Sequence, residues 1–348
     1  MNPRPTEQQA SIVETATRFA KQLRAAMRAS EASGMSAELS QAWHGLDLLR
    51  MDWPSARGGF EVGRLTKVMT LETLAFGDAA ATLALDRVSW VCSPMLELDA
   101  IASKVIAEID ATSAFVPALV VDADARLELG AQHCRGSVEW VGATSPTGLF
   151  VMRGDQLAYF RSGFTATPRA LGALHALGGS AVEIDGAPAW LLDLPSTTGR
   201  RVRGSWRLYL AAVLVGLAEA ASRQTREFCL ERVTFGKKVA HHQAVAFLLA
   251  DMEIAVEAAR LLLWQEAGQL DADPHAVAGH AAFLQAVECA LFVTNYAVQL
   301  HGSHGYVEDF PVEKWMREAR AIALMTGGVD AARADLGAQM VERLAVSR

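Results

Sequence analysis

Cysteine is scarce in this chain, and what there is does not cluster. Cys92, Cys134, Cys229 and Cys289 stand far apart with no Cys-x-x-Cys pair, so neither a zinc site nor a disulfide framework is implied. No Gly-x-Gly-x-x-Gly, Walker-type loop or Gly-x-Ser-x-Gly elbow occurs, which removes the usual dinucleotide, nucleotide and serine-hydrolase signatures. Positive charge is in deficit. A formal net charge of −7 and a pI near 5.7 argue against a nucleic-acid partner. The longest apolar runs, such as residues 208–221, are broken by Gly216 and Glu219 and fall short of a membrane span. No basic segment followed by an apolar core and a cleavage site opens the chain, so export is not expected. No repeat or low-complexity linker stands out. The expectation is a cytoplasmic protein without a membrane or nucleic-acid partner.

With 348 residues, half of them hydrophobic, there is material for one large or two to three ordinary domains. Apolar residues at three- and four-residue steps predict an amphipathic helix over 5–28, a second over 37–49, a third over 66–75 and an apolar fourth over 80–96. Gly58-Gly59 and Pro54 mark a loop between the second and third. From about residue 113 the pattern changes to short apolar runs bounded by turn residues, at 115–121, 127–129, 137–141, 149–152, 157–160, 182–184 and 189–194. These read as strands of a small barrel or sandwich. Beyond residue 200 the helical period returns, with two long helices around the loop Thr234-Phe235-Gly236-Lys237-Lys238 within residues 207–260. The fold class is therefore α+β, mostly α. A helical domain is expected over 1–112, a reduced β domain over 113–199 and a helical bundle of four helices over 200–348.

Two strings carry more specific information. The first is Leu230-Glu231-Arg232-Val233-Thr234-Phe235-Gly236-Lys237, followed by His242-Gln243 and Leu249-Ala250-Asp251-Met252. The second is Gln299-Leu300-His301-Gly302-Ser303-His304-Gly305-Tyr306, followed by Pro311-Val312-Glu313-Lys314 and Arg317. Both resemble the C-terminal signatures of the acyl-CoA dehydrogenase family, in the expected order. The Gly-Gly loop, the acidic-Leu helix and Gly77-Asp78 resemble its N-terminal helical domain. The resemblance implies FAD as cofactor and α,β-dehydrogenation of acyl-CoA thioesters. In the family, the flavin ring rests on one subunit's β domain, and the neighbouring subunit's C-terminal domain holds the diphosphate and adenine end. Carried across residue by residue, Arg232, Thr234, Phe235, His242, Gln243, Gln299, Gly302 and Ser303 would contact FAD, with Ser303 replacing a usual glycine. Arg232 offers planar donors to a diphosphate, and a glycine-bearing loop lets backbone amides approach phosphate oxygens.

The other half of the family's site is eroded. No Thr-Glu-Pro-x-Ala-Gly-Ser-Asp-like loop occurs between residues 113 and 142, and the family's Trp-Ile-Thr stands as Trp140-Val141-Gly142. The usual Glu-Gly-Thr, nine residues beyond Arg317, is Thr326-Gly327-Gly328, and threonine is no general base near neutral pH. The alternative glutamate position is Trp206. Only Asp86 remains as a candidate base, and a capping carboxylate beside Arg87 is the competing reading. Arg203 and Arg207, with Arg200 and Arg201, could engage CoA phosphates or form a solvated loop or a subunit contact. His301 and His304 beside Glu308 and Asp309 lack a third strong ligand, so no metal is expected.

The pattern resembles the non-catalytic short subunit of heteromeric steroid-CoA-type acyl-CoA dehydrogenases. That implies a sister subunit in a heterotetramer, an acyl-CoA substrate and electron-transfer flavoprotein as a possible partner. A self-sufficient homo-oligomeric flavoenzyme with an unusual base, and a flavin-free binding or scaffold protein, stay open as alternatives.

Overall fold

A computed structural model describes residues 5–112, 114–121 and 127–346. The expected start of the β segment, residue 113, lies outside them. The helical opening comprises α1 (Glu7–Ser33), α2 (Ala37–His44), α3 (Arg64–Gly77), α4 (Ala79–Leu85), α5 (Arg87–Cys92) and α6 (Asp99–Ala111). A capping box sets the start of α1, where Thr6 and Gln9 satisfy each other's backbone donors, and Gly34 at φ 78° ends it. The helix expected over 80–96 is in fact two short helices and a 3-10 turn, because the chain bends at Asp86 (φ −88°, ψ 11°). Helix α6 carries no mark in the sequence reading. Its apolar face (Ile101, Ala102, Val105, Ile109) is buried.

Among the described residues, seven strands follow in two sheets. The first orders β1 (Pro117–Val121), β3 (Gly148–Arg153), β4 (Gln156–Phe160) and β7 (Trp190–Asp193), with β1 parallel to β3. The second orders β2 (Cys134–Val141), β6 (Ser180–Gly186) and β5 (Phe164–Pro168). Ala118, Val120, Val141, Leu149, Phe160, Val182 and Ile184 from both sheets share one apolar core, so the sandwich reading describes the arrangement. Strand β5 was not foreseen, and the expected strand at 127–129 amounts to a single bridge between Glu128 and Arg135.

The C-terminal part is built on α7 (Ser196–Glu231), 36 residues long. The hairpin β8 (Val233–Thr234) and β9 (Lys237–Lys238) leads to α8 (Gln243–Ala272), α9 (His280–His301), α10 (Val312–Ala323) and α11 (Gly328–Val346). The bundle thus has a fifth helix. Residues 202–218 of α7 are buried all round, as a helix is when neighbours cover every side. Gly216 makes one such contact possible, since a Cβ there would collide with the Glu72 carbonyl of α3. Residues 280–306 are long and apolar enough to cross a membrane by length and composition, which the sequence reading did not foresee. Ala282, Phe283, Ala286, Ala290, Val293 and Ala297 of this stretch are buried in the main core.

Candidate functional site

The two signature strings meet at one end of the bundle. Phe228, one turn before the end of α7, stacks on His301 with ring centroids 4.3 Å apart and meets Phe310 edge-on at 5.5 Å. His301 is buried, its Nδ1 lies 2.7 Å from the Ala297 carbonyl, and burial lowers its pKa. It is a packed ring. Arg232 caps α7 in an extended conformation, and its carbonyl accepts from the Val239 amide at 2.8 Å, which closes the hairpin. At the hairpin's tip Phe235 has φ 50° and Gly236 φ 79°, a reversal that glycine permits at little cost. Phe235 is 98% exposed. His242 approaches the Thr234 carbonyl at 3.3 Å and precedes Gln243, the first residue of α8. Arg232, Gln243, Gln299, Gly302 and Ser303 are exposed, while Thr234 and His242 are half-buried. Exposed planar donors, a glycine-bearing turn and an unburied ring are a donor set that fits a diphosphate and an adenine.

A cavity of about 560 Å³ opens at the junction of the sandwich and the bundle. Trp90, Val121, Trp140, Leu171, Leu174 and Thr326 are among its walls. Strand β2 is irregular between Val138 and Val141, which re-aims Trp140 as a bulge does. Strand β1 is an edge strand, so its free backbone edge is available there. Thr326 sits in the left-handed region (φ 54°, ψ 36°) and its hydroxyl is spent on the Met325 carbonyl at 2.7 Å. Among the described residues no carboxylate lines this cavity. Gly142 offers no hydroxyl. A Cβ there would meet Leu177 Cδ2 at 3.1 Å, and its carbonyl is taken by Arg87 at 2.6 Å. The side chains here do not fit the polar edge of a flavin ring; the walls fit a hydrocarbon.

Asp86 lies outside those walls. It is fully buried, its Oδ1 accepts from Lys67 Nζ at 2.7 Å, and its Oδ2 has no partner. Burial pushes its pKa up to about 7 against the pull of Lys67. The surface-capping reading fails on this burial, because the Lys67 ammonium, not a helix end, is what holds the carboxylate.

The arginine run is a correction too. Residues 200–207 are not a loop before the helix but its first turns, and Arg203 and Arg207 are buried. Arg203 donates to Asp335 at 2.6 and 2.9 Å and to the Gly154 carbonyl at 2.6 Å. Arg207 donates to Asp335 at 2.6 Å, to the Thr326 carbonyl at 2.9 Å and to Nδ1 of His280 at 2.9 Å. Burial and the charge of Arg207 push the His280 pKa down to about 3, so its ring is neutral and accepts. A CoA phosphate would have to strip these guanidinium groups of a buried carboxylate, so they do not serve as its clamp. What the run does is hold the Thr326 turn against α7, a role visible only once Asp335 is seen 128 residues away.

Comparison with known proteins places these features. Residues 6–100 match the family model for the acyl-CoA dehydrogenase N-terminal domain, and residues 204–341 that for the C-terminal domain. A short-chain-specific acyl-CoA dehydrogenase of Clostridium acetobutylicum is 38% identical over 122 residues, 35% of this chain and 32% of that one. The aligned stretch is thus about a third of the curated relative's length. The solved butyryl-CoA dehydrogenase of Megasphaera elsdenii superposes with a TM-score of 0.82 at 21% identity, covering 98% of this chain and 100% of that one. PigA, solved with FAD and proline, gives a TM-score of 0.81 at 16% identity, covering 99% and 100%.

Proposed function

Since the chain belongs to the acyl-CoA dehydrogenase family, we propose that it is a subunit of an FAD-dependent enzyme that dehydrogenates acyl-CoA thioesters. In this reading it supplies the diphosphate and adenine half of the FAD site to a sister chain and carries no catalytic base of its own. One observation carries it. Arg207 touches Thr326 at the cavity, whereas Arg232 stands at the other end of the same helix. Twenty-five residues at about 1.5 Å each separate the two arginines by about 37 Å. In this reading FAD held by Arg232, Gln243, Gln299 and Ser303 has its ring on another chain, since the walls of the cavity here, with no lining carboxylate among the described residues, fit a hydrocarbon and not the polar edge of a flavin. FAD would supply hydride acceptance there, and this chain's residues would grip phosphates.

The absence of a lining carboxylate, with Thr326 at the base position, supports a division of labour between unlike chains. The large apolar cavity is compatible with a bulky hydrocarbon such as a steroid side-chain thioester. Electron-transfer flavoprotein is the electron acceptor this reading suggests.

The test is flavin content. The chain purified alone should hold little FAD, and co-purification with a sister acyl-CoA dehydrogenase chain should yield a yellow assembly with fewer flavins than subunits. Replacing Arg232 with Ala removes a charged donor, about 1.5–3 kcal/mol, so flavin retention by the assembly should weaken roughly tenfold to a hundredfold. Tight, stoichiometric FAD on the isolated chain, or unchanged retention in Arg232→Ala, refutes the proposal. The first result would favour a self-sufficient homo-oligomer.

A further inference from the structure

Helix α8 has two apolar faces. One is spent inside the chain, where Met252, Val256, Ala259, Leu263, Ala267 and Leu270 are buried. The other is not. Phe247 is 62% exposed, Ile254 66% and Leu261 52%, and Ala250 and Ala258 between them are exposed too. At about 100° per residue, these five fall within about 40° of one line along the helix, opposite the buried set. A helix that packs on one side only carries polar residues on the other. None of the five takes part in the flavin contacts proposed above.

The order of these residues adds a second property. Counted outward from Ile254, an alanine stands four residues away on each side, at 250 and 258, and a large apolar residue seven away on each side, Phe247 and Leu261. The exposed acids Asp251 and Glu257 follow the same rule, three residues away on each side. The stripe reads alike in both directions. Such a surface is self-complementary under a two-fold axis, which is the isologous contact of a dimer. Laid antiparallel on a copy of itself about Ile254, Phe247 meets the copy's Leu261 and each Ile254 meets its counterpart. The alanines leave room beside the isoleucines, so the helix axes can approach to about 8 Å, the close end of the usual range. The acids do not oppose this. The two copies of Asp251 stand about 9 Å apart along the seam, near the screening length of physiological salt.

We propose that α8 pairs antiparallel with α8 of a second copy of this chain, on a two-fold axis through Ile254. An unlike chain would need only an apolar face here, whereas a copy needs the same order read both ways, and that is the order present. The pairing goes beyond the flavin reading and does not rest on it. In an assembly with sister chains, this seam joins the two like chains to each other.

Cysteine cross-linking of the full chain tests the register, because a disulfide needs Cβ atoms about 3.5–4.5 Å apart. The native cysteines Cys92, Cys134, Cys229 and Cys289 are buried and do not interfere. Under mild oxidation Ile254→Cys should convert most of the chain to a disulfide-linked dimer, because that position meets itself. Phe247→Cys and Leu261→Cys should each stay largely uncrosslinked, and their equimolar mixture should cross-link at least tenfold more than either alone. Ile254→Lys, at an exposed position, should keep the parent's far-ultraviolet spectrum and weaken the dimer at least a hundredfold in analytical ultracentrifugation. The Ile254→Cys cross-link should also form in the assembly co-purified with a sister chain. The proposal is overturned if the three single cysteine variants cross-link equally, which is non-specific association, or if Ile254→Cys stays reduced. It is equally overturned if Ile254→Lys dimerises as the parent does, or if a photo-cross-linker carried on Ile254→Cys captures the sister chain in the assembly. Flavin content enters none of these readouts, so their failure and that of the proposed function are distinguishable.

Discussion

Replacing Asp86 with Asn separates the two roles this carboxylate could have. In the folded chain it faces Lys67 at 2.7 Å, with Asp86 0% and Lys67 1% exposed. The substitution keeps the shape and leaves an ammonium buried without its counter-charge. Breaking a buried pair from one side typically costs about 3–5 kcal/mol. At about 2–4 °C per kcal/mol, or less for a chain of this size, the melting temperature should fall by roughly 5–15 °C. Removing both charges together, in Lys67→Met/Asp86→Leu, takes away the stranded ion as well, and stability should return to within about 1–2 kcal/mol of the parent or above it.

The assay is thermal unfolding alongside turnover of the assembled enzyme on acyl-CoA thioesters at equal flavin content. If Asp86 is structural, the single variant is less stable but turns over within a few-fold when kept cold, and the double variant regains both. A general base would behave otherwise, since its loss costs about 10²–10⁴ in rate whatever becomes of Lys67. A thousandfold loss in the folded, assembled Asp86→Asn form, persisting in the restabilised double variant, refutes the structural reading and makes Asp86 the base.

Other expectations follow from the same geometry. Thr326→Ala should leave turnover of the assembly within a few-fold, because its hydroxyl is already engaged by the Met325 carbonyl; a loss above a hundredfold contradicts that. Asp86 and Glu318 have pKa values raised by burial to about 7. The folded state therefore keeps protons that the unfolded chain has released, and the stability they contribute is present below about pH 4 and lost as the pH rises through 7. Denaturant titrations should show Lys67→Met/Asp86→Leu gaining on the parent between pH 5 and pH 8. Gly216→Ala should cost about 1–3 kcal/mol or more, since the added methyl meets the Glu72 backbone carbonyl; unchanged stability would mean α3 and α7 can part freely.

Much of the architecture is legible in the sequence because it rests on periodicity. Alternation and the three-to-four step locate α1, α3, β3, β4 and β6 to within a few residues, whereas α8 runs on to Ala272, past the expected end at residue 260. What escapes are features decided by distant partners. Asp86, at the bend, finds its partner in Lys67, nineteen residues earlier. In the first turns of α7, Arg203 and Arg207 find their partner in Asp335, more than 120 residues on. Seen alone, four arginines in eight residues look like a phosphate grip, and the acid that neutralises two of them lies in the last helix. Strand β5 (Phe-Thr-Ala-Thr-Pro) has too little apolar contrast to announce itself and is fixed by its pairing with β6. The signature strings are legible for the opposite reason. Most of the cofactor candidates in them are exposed and, in the reading proposed above, answer to a ligand more than to the core, so the neighbouring sequence carries the information.

The hairpin tip shows why that distinction has physical content. Phe235 is 98% exposed, Val233 57% and Leu230 43%, so three apolar side chains crowd the tip without covering. Fully burying a phenylalanine is worth roughly 1.5–3 kcal/mol, and this ring forgoes it. A turn with φ 50° at Phe235 and 79° at Gly236 instead holds it outward. That conformation is itself unfavourable for a phenylalanine. An outward ring in a strained turn, next to an exposed arginine at a helix end, is what a surface looks like when its covering comes from outside the chain. In the reading proposed above, a flavin site shared with a sister subunit is the covering that would account for the ring and the arginine together. A scaffold that never met a cofactor would account for the ring alone.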